Sequence, residues 1–150
     1  MLLATDLDGT LLGGSASQRS RLYQLITAHP DIRLIFVTGR GVENVLPLLS
    51  DPLIPTPDFI IADVGASVVN GRTLQPLPEI QEQIDAAWPG EHVVAAALEH
   101  ISALQRQEVP QERRCSFFCE AHHIDDEVRR IVSELGCDML FSAGRYFDVL

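Results

Sequence analysis

The chain predicts an α/β fold: a doubly wound parallel sheet followed by a second, smaller α/β unit. Short apolar runs at 2–4, 33–37 and 59–62 alternate with helical stretches. That spacing implies parallel strands joined by right-handed crossovers. Pro76 and Pro78 then interrupt the pattern, and helical stripes, an alternating run and a closing hairpin follow without repeating the first half. The expected organisation is residues 1–74 as the first half of a sheet-and-helix core. Residues 75–150 form the second unit and the start of a return to the core.

Leu2, Leu3 and Ala4 read as a buried strand ended by Gly9. Gly13 to Ser17 is a polar loop with N-cap residues. The helix after it places Leu22, Leu25 and Ile26 on one face and ends near His29-Pro30. Arg33 to Val37 is short enough to be a buried parallel strand. A helix begins near Gly41, and Pro47 should end or kink it, since an interior proline costs about 3 kcal/mol. After the proline-rich connector 51–58 comes a third strand, Phe59 to Ala62, broken at Asp63-Val64-Gly65-Ala66. Asn70-Gly71 predicts a hairpin folding Ser67 to Leu74 back on itself.

In the second unit a helix from Glu79 to Trp88 stops at Pro89-Gly90. Val94, Leu98, Ile101 and Leu104 stripe the next helix. Residues 113–120 alternate as a half-buried strand. Cys115, Phe117 and Cys119 share one face, and Arg114, Ser116, Phe118 and Glu120 the other. Ile124, Val128, Ile131, Val132 and Leu135 mark a helix closed by Gly136, with Asp125 to Glu127 suited to its N-terminus. Strands 138–142 and 146–150 enclose Ala143-Gly144-Arg145.

With 46% hydrophobic and 21% charged residues, the 150-residue chain has the composition of an ordinary globular protein. A net charge of −10 argues against nucleic acid or an anionic membrane as partner. No apolar stretch approaches membrane-spanning length and no basic leader opens the chain, so a soluble, cytoplasmic protein is expected. Three cysteines without CxxC spacing argue against a disulfide framework or a zinc site. All 11 basic residues are arginine; lysine is absent.

The chemistry begins at Asp6-Leu7-Asp8-Gly9-Thr10-Leu11. In an extended chain residues i and i+2 face the same side, roughly 6.5 Å apart. Two such carboxylates can share a divalent cation, and one can attack while the other shuttles a proton. Thr38-Gly39-Arg40 lies at the carboxyl end of the second strand, where doubly wound sheets bind ligands. A hydroxyl with free backbone N–H groups at a helix start suits a phosphate.

These motifs resemble those of the haloacid dehalogenase (HAD) superfamily of phosphohydrolases, whose core is Rossmann-like. DLDGTL matches its first motif at every position, and Thr38-Gly39-Arg40 matches its second. Asp63 to Ala66 and the following α/β unit resemble the subgroup with a large α/β cap. Arg114 to Phe118 and Tyr146 to Leu150 are similar to segments of sucrose-phosphate phosphatases and related sugar phosphatases.

The resemblance implies Asp6 as nucleophile and Asp8 as acid and base. It implies Mg2+ on the Asp6 carboxylate, the Asp8 carbonyl and a phosphate oxygen, and a phosphoryl oxygen on Thr38. Gly39 belongs to the same phosphate-binding motif. Arg40 has two readings, substrate contact or a structural salt bridge. For the sugar, the candidates are Arg114, Ser116 and Glu120, with Arg145 behind them.

The superfamily's third motif is a Lys, sometimes Arg, and its fourth an acidic cluster after the cap. Neither is found here, so the sequence reads as an incomplete molecule. If it were complete, an open sheet edge would invite self-association. Two other readings stay open. One is a phosphomutase such as phosphomannomutase; the other is a catalytically incomplete, regulatory module.

Overall fold

The computed structural model describes residues 1–109 and 112–150. They form two compact units, Met1–Gln81 and Glu82–Leu150. In the first, β1 (Leu2–Asp6), β2 (Arg33–Val37) and β3 (Phe59–Ala62) pair in parallel, and β4 (Ser67–Asn70) adds antiparallel to β3. The order β1-β2-β3-β4 places β2 inside the sheet, where Leu34 and Phe36 are buried. β1 lies at one edge, with Leu2 65% exposed. The expected burial of Leu2 to Ala4 is therefore corrected: Leu2 and Ala4 are exposed, only Leu3 packs on the core, and among the described residues β2 is the one strand paired with β1.

Helix α1 (Ala16–Ala28) starts at a capping box in which Ser15 and Gln18 satisfy each other's backbone N–H groups. It docks through Ile26, as expected, and through Tyr23 one turn before it, while Leu22 and Leu25 are exposed. The buried Tyr23 hydroxyl donates to the Leu11 carbonyl at 2.9 Å and fixes the helix rotation. Helix α2 (Val42–Leu49) passes through Pro47 and ends two residues later, within the turn the proline weakens.

The hairpin joins β3 to β4 across Asp63–Ala66 instead of centring on Asn70-Gly71. Asn70 still turns the chain. Its side chain accepts from the Arg72 and Thr73 N–H groups, but the returning arm makes a single bridge, Val69 to Pro76. Helix α3 (Pro78–Ala87) begins on the first unit, where the buried Gln81 side chain accepts from Val68 N–H and donates to the Ala66 carbonyl.

In the second unit, α4 (Glu91–Leu98) and α5 (Asp126–Glu134) pack with an antiparallel sheet. Its order is β5 (Gln105–Arg106), β6 (Cys115–Phe118), β8 (Tyr146–Val149), β7 (Met139–Ser142). Helix α4 stops at Leu98, short of the expected Leu104. Glu99, Ile101 and Leu104 form three-residue turns that keep the apolar positions aligned, and the chain then pairs as β5. Asp125 caps α5 by accepting from Val128 N–H. Consecutive positive φ angles at Ala143 (48°) and Gly144 (69°) close the β7–β8 hairpin.

Candidate active site

β1 ends on Asp6, which pairs with Val37, so Asp6 and Thr38 lie at the carboxyl ends of adjacent parallel strands. The chain next makes one wide turn over Leu7–Leu11, closed by Leu12 N–H on the Leu7 carbonyl at 2.9 Å. Leu7 and Leu11 are both fully buried and anchor the turn, while Asp8, Gly9 and Thr10 between them are exposed. Gly9 adopts φ 79°, which glycine accepts without strain. Apolar anchors thus present polar groups on a fixed loop.

Thr10 donates its hydroxyl to Asp6 Oδ2 at 3.2 Å. Thr38 is buried, with its N–H on the Ile61 carbonyl and its own carbonyl accepting from Val64 N–H. Its Oγ1 accepts from Arg40 N–H at 3.2 Å, so that backbone donor is already engaged rather than free for a ligand. The Arg40 guanidinium grips both oxygens of Asp8, Nε to Oδ2 at 2.8 Å and Nη2 to Oδ1 at 2.5 Å. This is the ion pair that one of the two readings of Arg40 expected. The guanidinium holds the Asp8 carboxyl below the usual carboxylate range, chiefly by hydrogen bonding, which outweighs the opposing effect of burial, with a lesser contribution from its charge. The β3 end carries two non-glycine residues in the left-handed region, Asp63 (φ 52°) and Val64 (φ 61°). Their N–H groups bond the Arg40 and Thr38 carbonyls, so the strained loop braces this motif.

Asp6, Asp8, Thr38, Gly39 and Arg40 therefore belong to one end of one sheet. The sugar-binding candidates lie in the second unit and do not form a single group. Ser116 is 1% exposed and donates to Asp148 Oδ1 at 2.5 Å, so it is not on a solvated polar face; it sits mid-strand in an interior strand. Arg114 is half-buried, and Glu120 is exposed with His122 Nδ1 3.4 Å from its carboxylate. The Arg145 guanidinium lies over the rings of Phe118 and Tyr146, 4.7 and 5.4 Å from their centroids. Sequence reasoning missed that the buried Asp148 partners Ser116. Its signal was an acid inside the apolar strand Phe147-Asp148-Val149.

Among the described residues no three His, Cys, Asp or Glu side chains cluster as a metal cage. The donor chemistry nevertheless fits magnesium, which takes one or two carboxylates with substrate phosphate and water. Asp6 offers an exposed carboxylate and Asp8 a main-chain carbonyl beside it in sequence. The broad apolar groove between α1 and 51–54, lined by Tyr23, Leu48 and Leu53 among others, includes none of the motif residues.

A parallel sheet with two acids at the end of its first strand and a buried threonine at the end of its second defines the chain as HAD-type. The comparisons are more specific. The family model for sucrose-6F-phosphate phosphohydrolase matches residues 1–150, and the chain belongs to that family. It is 58% identical over 151 residues to a glucosylglycerol-phosphate synthase of Pseudomonas anguilliseptica, covering all of this chain and 20% of that protein. It is 27% identical over 158 residues to the mannosylfructose-phosphate phosphatase of Agrobacterium fabrum, covering 99% and 63%. The sucrose-phosphatase of Synechocystis sp. PCC6803, solved with sucrose and phosphate, superposes with a TM-score of 0.80 at 19% identity, covering 100% of this chain and 63% of that one. The chain thus spans between a fifth and about two thirds of these proteins. No described helix is long and apolar enough to cross a membrane.

Proposed function

We propose that residues 1–150 carry the nucleophile and cap of a cytoplasmic, magnesium-dependent phosphatase acting on a sugar phosphate through an aspartyl-phosphate. The observation that supports this most is the joint placement of Asp6, Asp8 and Thr38 at one sheet end, in a chain of a phosphohydrolase family. An Asp6 carboxylate oxygen attacks phosphorus, the bond from phosphorus to the sugar oxygen breaks, and Asp8 delivers a proton to that oxygen. Water then loses a proton to Asp8 and attacks the same phosphorus, releasing inorganic phosphate and restoring Asp6. The Thr38 hydroxyl orients a phosphoryl oxygen, and Thr10 holds Asp6 by its Oδ2. Bound magnesium would supply positive charge against the repulsion between carboxylate and phosphate. Arg40 occupies one lone pair on each Asp8 oxygen, which leaves the others to carry the proton while the guanidinium holds the carboxylate in place.

The 58% identity to a protein named for making glucosylglycerol phosphate makes a phosphorylated glycoside of that kind the first substrate to try. The test is phosphate release by the full-length polypeptide with magnesium, on a panel containing glucosylglycerol phosphate and sucrose phosphate. Free phosphate from wild type, abolished in Asp6→Asn, is the expected result. An isomeric sugar phosphate in its place would make the protein a mutase. No product from any substrate would make it a regulatory module.

A further inference from the structure

Thr38 owes its place to β3 and to the turn that follows it. Its N–H donates to the Ile61 carbonyl at 2.9 Å, and its own carbonyl accepts from Val64 N–H at 3.2 Å. The Arg40 carbonyl accepts from Asp63 N–H at 2.9 Å. The turn that makes these bonds is a costly conformation. Asp63, Val64 and Gly65 have successive φ angles of 52°, 61° and 105°, and only the glycine adopts such values freely. Strain of this kind persists only where the surrounding structure over-determines it. On one side the constraint is the pair of bonds to Thr38 and Arg40. On the other it is Gln81. Ala66 ends the turn, with its N–H on the Asp63 carbonyl at 3.1 Å and its carbonyl accepting from Gln81 Nε2 at 3.3 Å. Oε1 of the same amide accepts from Val68 N–H at 3.3 Å. Among the described strands β4 lies at a sheet edge, so the amide takes the two backbone groups that another strand would pair. Gln81 is only 6% exposed, and Ala66 and Val68 are buried with it. An apolar side chain in its place would strand both backbone groups without partners.

We propose that Gln81 is a positioning residue for phosphate binding: it fixes Ala66, Ala66 closes the strained turn, and the turn holds Thr38. The inference rests on the reading of Thr38 as the phosphate-orienting hydroxyl. Gln81 touches no substrate; it acts by backbone hydrogen bonds alone, through Ala66, Asp63 and Val64 in turn. Without it the Asp63–Gly65 segment can relax toward ordinary backbone angles. That relaxation withdraws Val64 N–H from the Thr38 carbonyl and lets the hydroxyl drift from the place a phosphoryl oxygen needs.

The test titrates inorganic phosphate into the full-length protein with magnesium by isothermal calorimetry, which needs no turnover. Gln81→Met keeps the length of the side chain and removes both bonds. It should weaken phosphate binding about tenfold, as loss of one hydrogen bond to a charged oxygen requires. In a Thr38→Ala background the same substitution should cost no more than about twofold, because Gln81 acts through Thr38. Gln81→Glu separates positioning from a general loss of structure. Its carboxyl donates to the Ala66 carbonyl and accepts from Val68 N–H only when protonated, and burial favours that form. Affinity relative to wild type at the same pH should therefore recover in Gln81→Glu as pH is lowered, while the ratio for Gln81→Met stays flat. Unchanged affinity in Gln81→Met, equal losses in both backgrounds, or no recovery in Gln81→Glu overturns the assignment. If Gln81→Met does not fold, the pH ratio of Gln81→Glu decides alone. Phosphate binding that depends on Gln81, without hydrolysis of any ester, would sink the phosphatase reading and leave this one standing. Hydrolysis with phosphate binding indifferent to Gln81 would do the reverse.

Discussion

Replacing Arg40 by Gln separates the two roles an arginine can play beside a phosphate site. The Asp8–Arg40 pair is partly solvated, with side-chain exposures of 59% and 34%. Solvent screening limits its worth to folding to about 1 kcal/mol or less, so Tm should move by no more than about 4 °C in a chain of this size. Catalysis is more sensitive. Acid–base assistance by Asp8 is worth about 10²–10⁴ in rate. Two charge-assisted bonds fix that carboxylate, and losing such orientation at about 1.5–3 kcal/mol corresponds to roughly a 10- to 150-fold fall in kcat. If Arg40 acts through Asp8, the effects are not additive: Arg40→Gln with Asp8→Asn should hydrolyse a sugar phosphate no more slowly than Asp8→Asn alone. An aryl phosphate, whose leaving group needs little protonation, should suffer less in Arg40→Gln than the sugar phosphate. The assay is steady-state phosphate release by the full-length protein, with a thermal melt on each variant. Losses that multiply in the double variant would refute the account and place Arg40 on the substrate.

The anchors of the acidic turn should be stability-critical: Leu7→Ala or Leu11→Ala should cost about 2–5 kcal/mol in chemical denaturation, since both side chains are fully buried. Val64→Asn should raise stability by about 1 kcal/mol in the same assay, because a β-branched residue at φ 61° is strained and asparagine tolerates that region. Asp58 accepts from Arg33 and from Leu34 N–H, and the Arg33 hydrogen bond above all holds its folded pKa below 3.8. Its contribution is therefore fully present above the unfolded value and is lost as pH falls through the lower folded one. Denaturation midpoints measured from pH 5 to 2 should fall less steeply in Asp58→Asn than in wild type below about pH 4.

How legible each part was follows from the range of the interaction behind it. Strand existence rested on local apolar runs, and Phe59–Ala62 and Arg33–Val37 appear with the expected bounds. On α1, local periodicity placed Ile26 correctly but grouped it with Leu22 and Leu25, whereas Tyr23, whose hydroxyl bonds the distant Leu11 carbonyl, is its buried companion. Burial of β1 depends on its neighbours in the sheet, which a strand's own sequence does not specify. The same holds for Ser116: alternation set it opposite Cys115 and Phe117 but could not show that it is buried, hydrogen-bonded to Asp148 on the adjacent strand, 32 residues away.

The candidate site was legible because its geometry is almost entirely local. Each motif sits where a strand ends, and parallel register alone brings Asp6 beside Val37 and hence next to Thr38. What the motifs could not reveal was how their side chains spend their hydrogen bonds before any ligand arrives. The motif alone left Arg40 open between substrate contact and a salt bridge; its guanidinium is bound to Asp8 and its N–H to Thr38. The site is thus internally satisfied, with Arg40 holding one lone pair on each Asp8 oxygen and leaving the others to carry a proton. A phosphate entering it need not displace Asp8 from Arg40. If the pair stays intact, the rise in Tm that inorganic phosphate gives the full-length protein should be the same in Arg40→Gln as in wild type. A smaller rise in the variant would place Arg40 on the phosphate instead.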